Sequence, residues 1–280
     1  MGHQDFCRLF LIFYGKIKED TMHLISAEDT VRIFWPITKQ KGAIMKKETD
    51  RIALLLKIGI LGALVILAGD LLMGWGVRDE RAVGMEGQLS QYLTVSQGRM
   101  FWASVCGFSG VPIAVIGHYG IYKLLKPFSR KYARMYALGI LGFLAFGGAG
   151  VHVSSVEAAF FYQHMTAADP AAAVDATVKF ALYFLLPLYG ILITGWAVMV
   201  YAHMRAVLTG LSPFPRWGWI FSMPIGTLLF SLTGLWGNHP AVNALMVGAF
   251  SLGNVYTLCG HLWMLGRTEN QKYAFHLKKL

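Results

Sequence analysis

Long apolar stretches alternate along the chain with short clusters of basic residues, glycines and prolines. A helix needs roughly 20 mostly apolar residues to cross a hydrocarbon layer of about 30 Å. Six stretches meet that length, over residues 52–75, 100–125, 135–162, 177–203, 219–236 and 241–265. Helices are expected in all six, because an isolated strand would leave its backbone groups unsatisfied in lipid. The expected fold is all-α, a polytopic six-helix transmembrane bundle.

Charge orients this arrangement. Lys46, Lys47 and Arg51 precede the first span; Lys126, Arg130, Lys131 and Arg134 separate the second from the third; Arg205 and Arg216 separate the fourth from the fifth. The tail adds Arg267, Lys272, Lys278 and Lys279. With six spans these regions share one side, so both termini are expected in the cytoplasm and the chain in the cytoplasmic membrane. Composition agrees: 55% of the 280 residues are hydrophobic and 14% charged, whereas soluble domains average about 25% charged. The formal charge of +10 sits at span ends, where it meets anionic lipid, so nucleic acid is not an expected partner and the lipid bilayer is. Cys7, Cys106 and Cys259 lack disulfide or metal spacing and read as packing residues.

Three regions are expected: residues 1–44 as an extension that is either non-native or a flexible amphipathic tail, 45–266 as the transmembrane domain, and 267–280 as a basic cytoplasmic tail. Glycines between Gly139 and Gly150 and the pair Ala249 and Gly253 suggest close helix packing. Pro112, Pro187 and Pro224 are expected to kink their helices. No P-loop, dinucleotide fingerprint, nucleophile elbow or internal repeat is present.

Polar residues inside spans carry the functional expectation, because they are costly in lipid. At about 1.5 Å per residue, Asp70 and His152 both lie roughly 25 Å beyond the cytoplasmic ends of their helices. Glu157, Lys179 and the WGNHP turn with His239 reach the same outer level. At about 100° per residue, His152 shares a face with Ser155 but not with Glu157. Asn243, Asn254 and His261 align as a seam on a straight sixth helix. His118, His203 and His261 form a second set towards the cytoplasm, with His203 reading as a snorkelling interfacial side chain.

Several chemistries fit these residues. One is a metal-assisted or acid/base hydrolase of a lipid or small molecule, with catalytic Asp70, His152, Glu157 and His239, and zinc held by Asp70, His152 and His239. A second is a small-molecule or ion carrier whose path is lined by Asp70 and Asn254. A non-catalytic membrane role is the third.

Two resemblances add to this reading. The segment GDLL at Gly69 to Leu72, His152 in the third span and His239 with Pro240 before the last span resemble a functionally uncharacterised group of bacterial multi-pass membrane proteins. That resemblance covers most of residues 45–265 and implies no activity. The alternation of His118, His152, His203 and His239 across successive helices resembles diheme b-type cytochromes, which would imply a haem near each membrane face and electron transfer. His239 in a turn and His203 at a boundary depart from that family's pattern.

Overall fold

A computed structural model of the chain describes residues 27–277, with side chains over 46–267. Two units divide the chain, Met1–Asp50 and Arg51–Leu280. The expected N-terminal extension falls largely outside the described residues; its described part is helical. The helical bundle is the second unit.

Every described element is helical. Helix α1 (Ala27–Gly74) is followed by a short α2 (Gly84–Ser90), a tight turn of helix (Gln91–Thr94) and the long α3 (Gln97–Leu125). Helix α4 (Arg130–Phe146) runs through a wide-turned π segment (Gly147–His152) into α5 (Val153–Ala168). Helix α6 (Pro170–Phe180) likewise passes through a π segment (Ala181–Leu185) into α7 (Leu186–Leu208). A 3-10 turn (Arg216–Phe221), α8 (Met223–Ser231) and a second 3-10 turn (Leu232–Trp236) precede α9 (Pro240–Val247) and α10 (Ala249–Leu277).

Local chemistry sets these boundaries. The Ser96, Ser129 and Asp169 side chains accept from the backbone N–H groups of Arg99, Tyr132 and Ala172, capping α3, α4 and α6. Pro224 opens α8 after the extended Ser222 rather than kinking a continuous helix, whereas Pro187 lies just past the π segment inside the continuous helical stretch Pro170–Leu208. Proline lacks the donor and clashes with the preceding turn, so it is tolerated where a helix begins. Pro112 lies inside α3 as expected.

Among the described residues, four helical stretches are long and apolar enough to cross a membrane: Lys46–Gly74, Gln97–Leu125, Arg130–Ala168 and Pro170–Leu208. The pair Pro240–Val247 and Ala249–Arg267 makes a fifth if a 63° bend is counted within one span. The remaining expected span is a shorter apolar helix, Met223–Trp236. The last expected span is therefore broken at Gly248, and the seam drawn on a straight helix breaks with it. Asn254 and His261 are buried on α10, whereas Asn243 lies beyond the bend and donates to the Gly76 and Asn238 oxygens.

Helices α1 and α3 pack with almost no side chain between them. A Cβ on Gly59 would lie 2.3 Å from the Gly117 Cα, and one on Gly62 would lie 2.2 Å from the Ala114 nitrogen. One on Gly110 would strike Ile66, and one on Gly69 would press on the Ala103 carbonyl. Gly139 and Gly142 similarly admit α7 at Gly195 and Met199, and Gly226 of α8 faces Gly253 of α10. Such small-residue contacts let backbones approach where lipid offers no hydrophobic gain from burying larger side chains. The outward positions carry apolar side chains, among them Leu61, Phe101, Phe108, Leu138 and Leu141.

At the Gly74 end, polar side chains tie the helices together. Asn238 accepts from the Arg78 backbone N–H and returns its own amide to the Arg78 carbonyl at 2.8 Å. Arg99 donates to the Leu72 and Trp75 carbonyls that α1 leaves unpaired at its end. Gln163 donates to the carbonyls of Tyr92 and Val95.

Candidate functional site

Two helix interruptions meet at one carboxylate. Asp70 sits one turn before the end of α1, in the GDLL segment. The π segment turns His152 towards it, so that His152 Nδ1 lies 3.4 Å from Asp70 Oδ1. The 63° break at Gly248 starts α10 beside the same residue, and Ser251 in its first turn donates to Asp70 Oδ2 at 2.5 Å. A helix start carries unpaired N–H groups and partial positive charge, which favours an acid there.

His152 is held by α3. Its Nε2 lies 3.1 Å from the Ala103 carbonyl oxygen, which can only accept, so Nε2 carries a proton. The ring rests on Gly107, where a Cβ would come within 2.0 Å of Cδ2. With Nε2 as the donor, Nδ1 and the carboxylate face each other as two groups that one further proton can bridge. Holding that proton the pair is either imidazolium with carboxylate or imidazole with carboxylic acid, with net charge zero; without it the pair carries one negative charge.

A cavity of about 340 Å³ opens on this pair. Asp70, His152, Ser155, Ser251 and Asn254 supply its polar lining, and Tyr92, Phe143, Tyr189 and Phe250 its aromatic lining. Ligand pockets of small molecules have this make-up, largely apolar with a few convergent polar groups. Tyr92 lies outside the long helices. Burial holds its hydroxyl above the ordinary phenol range despite Gln91 and the Arg78 charge, so it remains protonated and can donate.

The cavity connects through Asn254 to a buried histidine cluster. His118 Nε2 donates to Asn254 Oδ1 at 2.8 Å, leaving Nδ1 to accept from the Tyr136 hydroxyl, also at 2.8 Å. His261 Nδ1 donates to the Thr257 carbonyl at 2.7 Å, and its Nε2 accepts from His203 Nε2 at 2.8 Å. His203 is only 4% exposed, so it is an interior side chain and not the interfacial one expected. Two nitrogens clasping one metal in line stand about 4 Å apart, at roughly 2 Å per bond. The His203–His261 contact is instead a direct hydrogen bond.

The other expected site residues lie elsewhere. Glu157 is exposed and lines a separate groove with Gln97, Ser104 and several phenylalanines. His239 is exposed, does not line the cavity, and caps α9 by accepting from the Ala241 N–H at 3.3 Å. His164 donates back to the Phe160 carbonyl, and Lys179 pairs with Asp175 on the surface. Among the described residues, no three His, Cys, Asp or Glu side chains gather as a metal site would require. Cys106 and Cys259 are free thiols. The Ser155 hydroxyl donates to the Val151 carbonyl and the Ser251 hydroxyl to Asp70, while His152 Nε2 faces the Ala103 carbonyl, so neither serine is paired with that ring nitrogen.

Ser251, Ala103, Gly107 and Tyr136 were not legible as site residues. Only Gly107, within CGFSG, left a sequence signal, and it reads equally well as packing.

An all-helical chain with several helices long and apolar enough to cross a membrane, enclosing a polar cavity at a helix break, has the build of an integral membrane protein. The model of a family of unknown function, DUF6796, matches residues 45–268, and the chain belongs to that family. No curated protein and no solved structure matches the chain.

Proposed function

We propose that this protein is a multi-pass carrier or binding protein for a small molecule, in which the Asp70 and His152 pair exchanges a proton as its ligand comes and goes. The observation that carries this reading is the Nε2 of His152 committed to the Ala103 carbonyl, which leaves its Nδ1 facing the Asp70 carboxylate at the cavity wall, where one proton can bridge the two. Two interrupted helices at the site support it. Carriers place substrate and coupling ions where broken helices expose backbone groups inside the bundle. This reading is preferred to the hydrolytic one because Glu157 and His239, the base and the further ligand that hydrolysis was expected to use, lie away from the Asp70 and His152 pair.

Six crossings of a cytoplasmic membrane, with both termini inside, complete the proposal. The segment Arg216–Trp236 supports the count, because its 3-10 turns rise more per residue than an α-helix. Together its pieces cover roughly 35 Å. At one end Gly218 approaches Met264 of α10, and just past the other Asn238 is bonded to Arg78 beyond α1. The basic clusters then share one side.

Infrared difference spectra of the purified protein across a pH titration test the shared proton. A carboxyl band that responds to bulk pH and vanishes in Asp70→Asn is expected. A band indifferent to pH, together with a Ser155→Cys thiol unreactive to small polar reagents from either side of a vesicle, would overturn the reading.

A further inference from the structure

Resting on that reading, we propose that the cavity's ligand is a small apolar organic cation bearing at least one N–H, bound by direct exchange for the proton shared between Asp70 and His152. With His152 Nε2–H committed to the Ala103 carbonyl, removal of the shared proton leaves a lone pair on Nδ1 beside a carboxylate oxygen 3.4 Å away. These are two acceptors with one negative charge. The species that restores both hydrogen bonding and neutrality is a single positive donor, a proton or an ammonium group.

A neutral ligand would leave the shared proton in place. An anion would add charge to a carboxylate already enclosed in a low-dielectric bundle, which is costly. The walls agree with a cation carrying an apolar body. Tyr92, Phe143, Tyr189 and Phe250 are aromatic walls, a residue type whose ring faces attract positive charge, and Ile66, Val111, Leu192 and Ile193 fit hydrocarbon. Asn254 closes the site on the α10 side, its Oδ1 already accepting from His118.

The groups facing Asp70 are His152 from the π segment, Ser251 from α10 and, through space, the Tyr92 hydroxyl. The nearby cations are occupied. Arg99 bonds the Leu72 and Trp75 carbonyls, and Arg78 donates to Gln91. Neither is bonded to Asp70.

The test uses the full chain in detergent with three probes: 2-phenylethylammonium, tetramethylammonium, which has no N–H, and the neutral 2-phenylethanol. Calorimetry reads binding, and a pH dye in weak buffer reads protons. The expected result is about one proton released per 2-phenylethylammonium bound. Its apparent Kd then falls about tenfold for each unit rise in pH over the range in which the free pair holds its proton and the amine stays charged, as one-for-one competition requires. The other two probes bind at least about tenfold more weakly.

Asp70→Asn should abolish both signals. Should that variant not fold, His152→Gln retains the carboxylate and should weaken binding about tenfold while lowering the proton yield. Binding without proton release, equal binding of the alcohol, or no amine binding in a protein whose carboxyl band still answers to pH would each overturn the exchange while leaving the cavity's proposed role intact. A carboxyl band silent to pH would instead overturn that role.

Discussion

His152 is placed less by its own neighbours in sequence than by atoms without side chains. Its ring lies on Gly107 and its Nε2 on the Ala103 carbonyl, so the position opposite must be glycine. Gly107→Ala should displace the ring and cost about 1–3 kcal/mol, as overpacking in a filled core does. Thermal unfolding in detergent reads the loss, and Gly190→Ala, which meets nothing within 4 Å, is the matched control. Tyr92 gives a separate expectation outside the long helices. Its folded-state value is raised, so its contribution is fully present below the unfolded value of about 10 and is lost as pH rises through the folded one. Tyr92→Phe should therefore resist alkaline unfolding better than the wild type. Asp70 and His152 could be read from sequence because ionisable residues stand out in apolar runs. Ser251 could not, since serine is common in such helices. Glu157 and His239 stood out equally, yet the structure sets one in a separate exposed groove and the other at a helix cap.

Elements were legible where periodicity is simple. The first four long helices fall close to their expected limits, since hydrophobic length alone defines them. Interruptions were not legible, because a π segment or a 63° break changes direction without changing composition. The π segment amounts to one residue more than an α-helix requires, which rotates the helix beyond it by about 100°. Deleting Ala149 should restore regular α-helix, carry His152 off the Asp70 face and leave the protein folded. Loss of the pH-responsive carboxyl band with helix content unchanged by circular dichroism is the outcome expected. An undiminished band would mean that the π turn does not set the pair.

For the whole molecule, crossing number follows from where connecting turns become reachable. Single cysteines at Ser129 and Asp169, in a background without the three native ones, should react from opposite sides of sealed vesicles. A third at Arg216 should share the side of Ser129, and one at Asn238 that of Asp169. Labelling of both Arg216→Cys and Asn238→Cys from one side would remove the crossing at 219–236, the fifth of the six. The zipped contact between α1 and α3, from Gly59 and Gly117 to Gly69 and Ala103, leaves no compressible material between two backbones. These helices work as a stator. Asp70 belongs to it and His152 is bonded to it, whereas Ser251 rides on α10 beyond the 63° break. Spin labels on α1 and α3 should keep one distance at every pH, and a label on α10 should move against both: the charge stays where it is, and the protein changes what surrounds it.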